Sequence, residues 1–78
     1  DVGTTLSTGS TTSGTTTTLT DTGATFVTDT VAIGDVMLDD TTGDHAIVSA
    51  VTETVITFKQ LHHKDSIIGT GDTYRIVT

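Results

Sequence analysis

Apolar residues alternate with polar ones in short runs, and no run repeats at helical spacing. His45 to Val51 is the clearest case: Ile47, Ser49 and Val51 fall on one face, and Ala46, Val48 and Ala50 on the other. Both faces are small or apolar, as suits a barrel wall or a covered strand. Thr54–Lys59 predicts the next strand, with Ile56 and Phe58 sharing a face. Thr73–Val77 predicts the closing strand, with Tyr74 and Ile76 inward. Upstream, Thr16–Thr20 predicts a first strand with Leu19 inward, and Phe26 and Val27 read as core residues. Val31, Ile33, Val36 and Leu38 surround Gly34-Asp35, where glycine permits a sharp bend entering a strand.

Turn chemistry separates these runs. Asp21-Thr22-Gly23, Thr28-Asp29-Thr30 and Thr52-Glu53 read as turns, and Asp39 to Asp44 as a polar hairpin loop. Gln60 to Asp72 is a longer excursion carrying Leu61, His62, His63, Ile67 and Ile68. Threonine exceeds a quarter of the chain, and its β-branched side chain favours strand over helix. The expectation is an all-β fold: a small antiparallel barrel or sandwich of about five or six short strands. Its core is expected from Val27, Val31, Ile33, Val36, Ile47, Val51, Ile56, Phe58, Tyr74 and Ile76.

Residues 1–18 differ in kind. They are almost all Thr, Ser and Gly, with Val2 and Leu6 as the apolar exceptions. So little apolar surface does not offset an ordering entropy of roughly 1–2 kcal/mol per residue. The tract reads as an extended Thr-rich N-terminal arm, distinct from a β domain over 19–78. Its β-branched threonines suit it to adding to another chain's sheet edge. Thr4, Thr5, Leu6, Thr15, Thr16, Thr17, Thr18 and Leu19 are the candidate partner-binding residues. A disordered linker and an O-glycosylated stalk are the alternatives.

The chain has 78 residues and no cysteine, so neither disulfides nor thiolate metal sites can reinforce a core this small. Oligomerisation or attachment to a scaffold is the usual remedy. The formal charge is −7, and Lys59, Lys64 and Arg75 are the only Lys or Arg residues. Nucleic-acid binding is therefore not expected, because phosphate neutralisation needs cations and base stacking needs more than Phe26, Phe58 and Tyr74. No apolar run within these residues reaches membrane-spanning length, and none has the form of a signal peptide.

Candidate chemistry is sparse. His45, His62 and His63 are the imidazoles, and adjacent histidines on a strand would point to opposite faces. An exposed loop is the reading adopted for them. Asp39-Asp40-Thr41-Thr42-Gly43-Asp44 has oxygen donors suited to Ca²⁺ but lacks EF-hand spacing and a closing Glu, so a solvated acidic hairpin is adopted. The glycines of the N-terminal tract precede no helix and no Lys, which removes a phosphate loop. No catalytic residue, metal or cofactor is assigned, and an enzyme is not expected.

Residues 14–78, about four-fifths of the chain, carry a resemblance. Its pieces are Ser-Gly-Thr-Thr-Thr (13–17), Leu-Thr-Asp-Thr-Gly-Ala-Thr-Phe-Val-Thr-Asp (19–29), Val-Ala-Ile-Gly-Asp-Val (31–36), Thr-Thr-Gly-Asp-His-Ala-Ile-Val (41–48), Val-Thr-Glu-Thr-Val-Ile-Thr (51–57) and Gly-Asp-Thr-Tyr-Arg-Ile (71–76). In this order they resemble a small β module of tailed-bacteriophage virion structural proteins. The hairpin departs from that pattern, with Gly-Asp-His where a Thr-Asp-Gly-Ser kind of turn is usual. The resemblance implies a structural role on the virion: capsid decoration (cement), head fibre, or tail or fibre component. It implies as partners other copies of the chain, for example as a trimer, and major capsid or other virion subunits. An extracellular filament subunit assembling by N-terminal strand donation is the alternative. A carbohydrate-binding module at a cell surface is a third, disfavoured by the shortage of aromatics.

Overall fold

A computed structural model describes residues 4–62 and 67–78. Among them the chain forms seven strands and no helix: β1 (Thr5–Ser10), β2 (Ser13–Gly14), β3 (Thr18–Thr20), β4 (Val36–Asp39), β5 (Asp44–Val51), β6 (Val55–Phe58) and β7 (Thr73–Val77). They make one sheet in the order β1-β7-β4-β5-β6-β3-β2, with every pair antiparallel. The all-β expectation holds. Strands β3 to β7 are the five strands that the apolar alternation marks, and the N-terminal tract supplies two more.

The two edge strands, β1 and β2, are consecutive in the chain, with only Thr11 and Thr12 between them. In a flat seven-stranded sheet the outer strands would lie about 29 Å apart, at ~4.8 Å per step. Three Cα steps from Ser10 to Ser13 reach at most about 11 Å. The sheet must therefore curl until its edges meet. At the seam, Thr11 N donates to Asp72 O (2.9 Å) on one side and Thr12 N to Thr20 O (2.8 Å) on the other. No ladder joins β1 to β2, so the fold is barrel-like but not closed.

Residues 5–14 are extended, as their threonines require, but they pair within the chain. Strand β1 runs against β7 from Thr5↔Val77 to Ser10↔Thr73, and β2 runs against β3. Leu6 packs on the core, and Ser7 and Thr11 are buried. Composition misses this because most of what holds the tract is backbone hydrogen bonding to neighbours, which needs no apolar side chain.

Inside the curl, Leu19, Met37, Ala46, Val48, Ile56, Phe58, Tyr74 and Ile76 project from β3 to β7. Phe26, Val31, Leu61 and Ile68 enter from the connections, and Phe26 meets Tyr74 edge-on at 5.8 Å between ring centroids. Val31, Ile56, Phe58, Tyr74 and Ile76 are thus core residues as expected, and Val36 and Val51 are half-buried.

Three expected core residues are on the surface: Val27 is 54% exposed, Ile33 72% and Ile47 56%. Residues 25–30 turn, with Asp29 N donating to Thr25 O and Thr30 N to Val27 O, so strand alternation does not apply to Val27. Ile33 sits in the 32–35 turn closed by Asp35 N to Ala32 O. For Ile47 the register decides. Met37 pairs with Ala46, which brings Ala46 and Val48 inward and turns Ile47 out. An apolar strand on both faces contains no signal that selects one.

The seam leaves no room at Gly14. A Cβ there would stand 2.4 Å from Ile68 Cβ and 2.6 Å from Ile68 O. Gly14→Ala is expected to destabilise the fold by about 2–3 kcal/mol through overpacking, read as a lower urea midpoint. Deleting residues 1–18 removes β1 and β2 and bares one side of β7 and one of β3. The truncated chain is expected to lose the dispersed amide spectrum of a folded β protein. A spectrum still matching that of residues 19–78 in the whole chain would show these strands to be dispensable.

Candidate docking surface and buried carboxyl pair

The residues expected to bind a partner do not form a free arm in this fold. Thr4 N donates to Thr78 Oγ1 (3.3 Å), and Thr78 N returns to Thr4 O (3.0 Å). Thr5 and Leu6 lie in β1. Thr15 to Thr18 form a turn in which Thr15 Oγ1 accepts from Thr17 N (3.2 Å) and Thr18 N (3.0 Å). Thr17 O accepts from Phe58 N, and Thr15 O from Ile68 N. Leu19 is wholly buried in the core. Thr15, Thr17 and Leu19 are thus brought close to β6 and the Ile68 segment, whereas Thr4 and Thr5 lie along β7.

A different surface stands out. Ile33, Gly34, Ile47, Val48, Ser49, Lys59 and Gln60 line an open depression of about 530 Å³. Gly34 N donates to Val48 O and Val48 N to Asp35 O, which holds the 32–35 turn against β5 and brings Ile33 beside Ile47. The β5–β6 register shifts at Ser49, whose Oγ donates to Thr57 O (3.2 Å). Lys59 follows β6 at the rim. Arg75 is held by Asp40 at 3.1 Å, whereas Lys59 makes no ion pair among the described residues. The site joins two bare isoleucines to an ammonium that, among the described residues, has no ion pair, on an acidic protein. Sequence reasoning missed it because Ile33 and Ile47 read as core. The Gly34-Asp35 turn is the one local sign that Ile33 leaves the strand pattern.

The acidic hairpin is only in part the solvated loop expected: residues 40–43 are exposed, but the two aspartates that flank them are not. Asp39 is 1% exposed, and Asp44 is as deeply buried across the β4–β5 pairing. Asp39 Oδ1 accepts from Thr41 N (2.9 Å) and Thr42 N (3.2 Å), and Asp44 Oδ1 accepts from His45 N (2.9 Å). The carboxylates serve the turn's own amides, which is why the chain buries them. Asp39 Oδ2 is buried and meets no donor. Burial, and then the Asp72 carboxyl beside it, push the Asp39 carboxyl up to about 6. Asp72 is itself buried, with Oδ2 accepting from Gly69 N (2.9 Å).

Other titratable groups serve the fold. Tyr74 Oη donates to Asp21 Oδ2 at 2.6 Å, and burial raises the phenol well above its ordinary value. Glu53 accepts from Thr28 N and Thr28 Oγ1, both at 2.9 Å, and these bonds hold its carboxyl below its usual value. The exposed His62 stacks on half-buried His45 at 4.6 Å between centroids. His63 lies outside the described residues. No group of three metal-ligating side chains comes together among the described residues.

No family model, no curated protein and no solved structure matches this chain.

Because Ile33 and Ile47 are exposed, Ile33→Ser and Ile47→Thr are each expected to shift unfolding stability by no more than about 0.5 kcal/mol. The same truncation at Ile56 or Ile76 is expected to cost several times that. Urea titration of the four variants is the check.

Proposed function

We propose that this protein is a non-enzymatic structural subunit of a virion, of the capsid-decorating kind, and that it docks through the Ile33–Ile47 depression. The observation that carries this reading is the pairing of two bare isoleucines with Lys59, which has no ion pair among the described residues, on a chain of formal charge −7. Such a surface fits a partner offering an apolar side chain next to a carboxylate, and a major capsid subunit is the partner proposed. Lys59 supplies orientation and the isoleucines supply apolar area. Many copies on one lattice then make a modest single contact sufficient. The likeness of residues 14–78 to phage virion modules supports the same location.

In this reading the N-terminal residues contribute as an edge and not as a loose arm. Among the described residues strand β1 is laddered on one side only, and we take its other edge as the place for a scaffold strand. One observation favours the filament alternative: the place beside β7 is filled by the chain's own β1 in a defined register. The same strand of a second copy would fit that place, giving head-to-tail exchange.

Location is the test. Antibody against the folded chain should label capsids evenly in particles purified from the source culture; label along extended fibres would favour the filament, and no label on particles would refute the reading. A chain carrying both Ile33→Asp and Ile47→Asp should remain folded yet bind capsids at least about tenfold more weakly, ~1.4 kcal/mol per site. Lys59→Glu should weaken binding in the same direction.

A further inference from the structure

Thr11 makes the seam, and every polar group it has is committed to one short turn. Its N donates to Asp72 O (2.9 Å), its O accepts from Gly71 N (2.9 Å), and its Oγ1 donates to Gly69 O and accepts from Asp72 N (3.1 Å). The 69–72 turn is thus the fastening of the N-terminal strands. Asp72 closes that turn through its Oδ2 and sets its carboxyl beside Asp39. Asp39 Oδ1 is taken by two amides, and Oδ2 is buried with no donor.

We propose that Asp39 and Asp72 share one proton in a clasp that fastens the Thr11 seam to the sheet in acid and loosens it at neutral and alkaline pH. A proton on Asp39 Oδ2 turns the orphaned acceptor into a donor toward Asp72. Without it, two carboxylates face each other in a site that excludes water, and the turn holding Thr11 takes the strain. Among the described residues, the other groups around the pair do not relieve it. Asp44, across β5, is a third acid, and its Oδ1 is taken by His45 N. Tyr74, opposite Asp39 on β7, gives its hydroxyl to Asp21. Arg75 neighbours Tyr74 but is exposed and bound to Asp40, and His45 follows Asp44 and stacks on His62.

The sign follows from the raised native value. Between the ordinary carboxyl value of 3.8 and about 6, the unfolded chain has released this proton and the native chain has kept it. Stability is therefore full below that window, falls as pH rises through it, and levels off above. One proton changes the unfolding constant by up to ~10-fold per pH unit. The proposal goes beyond the docking reading, because the Ile33–Ile47 surface contributes nothing to it.

The test is amide exchange on the whole chain at pH 5 and pH 8, corrected for intrinsic rate. Opening at Thr11, Thr12 and Gly71 should increase more than opening at Val48 in β5. In Asp39→Asn the retained oxygen can still accept from Thr41 and Thr42, and the new NH₂ can donate to Asp72. This variant should keep the pH 5 protection at pH 8. Asp72→Asn places the donor on the other side of the pair and should act alike if the first variant does not fold. Carbon-13 titration of the wild type adds a readout without mutation, with an Asp39 midpoint near 6 expected. A midpoint near 4, equal opening at Val48, or an unchanged pH profile in a folded Asn variant would overturn the proposal. Restoration of pH 5 protection at pH 8 by Ca²⁺ would also overturn it, in favour of a cation site.

Discussion

The short crossing at Thr11 and Thr12 is the constraint on which the rest of this fold depends. Two residues must carry the chain from one edge of a seven-stranded sheet to the other. Only a strongly curled sheet allows that. Curling supplies an interior, and the interior fixes which face of each strand is buried. It also brings Gly14 so near Ile68 that a side chain there would collide with backbone. The crossing cannot itself be held by apolar burial, since Thr11 is flanked by Ser10 and Thr12. Hydrogen bonds from Thr11 to the 69–72 turn and from Thr12 to Thr20 do that work, so one turn beside the C-terminal strand fastens the crossing between β1 and β2.

A domain of this size has little apolar surface to spare. Its buried side chains are few, and four of them, Phe26, Val31, Leu61 and Ile68, come from connections and not from strands. They complete an interior that strand residues alone do not fill. Against that thin core the bare Ile33 and Ile47 are conspicuous. Turning either inward would add to a scarce resource, yet the 32–35 turn and the Met37–Ala46 register keep both outside. A small chain that leaves two isoleucines side by side in water needs a reason, and the proposed covering by a partner supplies one.

The later strands were legible because each is bounded by chemistry that acts locally. Thr73–Val77 appears where alternation places it, and Val55–Phe58 lies inside the expected Thr54–Lys59. The hairpin between Asp39 and Asp44 also lies where its turn residues put it. The N-terminal strands were not legible as part of the domain. Thr5–Ser10 has almost no apolar content, and what fixes it is β7, about seventy residues on. The same limit hides both candidate sites. Ile33 and Ile47 reach one surface only through the bonds between residues 34–35 and Val48, and Asp39 meets Asp72 only because β4 lies next to β7.

The acidity of the chain has a structural origin that bears on both sites. Asp21, Asp35, Asp39, Asp44 and Asp72 each use a side-chain oxygen to accept a backbone amide in a turn or at a strand start. These aspartates are therefore turn parts first and charges second. Such a fold accumulates negative charge as it accumulates tight turns, and the charge must be tolerated somewhere. On the surface, water and salt screen it. At Asp39 screening fails, and burial raises the carboxyl's value so that it holds its proton to a higher pH than an exposed aspartate does. At Lys59 the reverse holds: an ammonium with no ion pair among the described residues, on so acidic a chain, is the point proposed for a partner's carboxylate. The depression lies along β5 and β6, and the carboxyl pair at β4 and β7, so the two features draw on one charge imbalance through separate parts of the sheet.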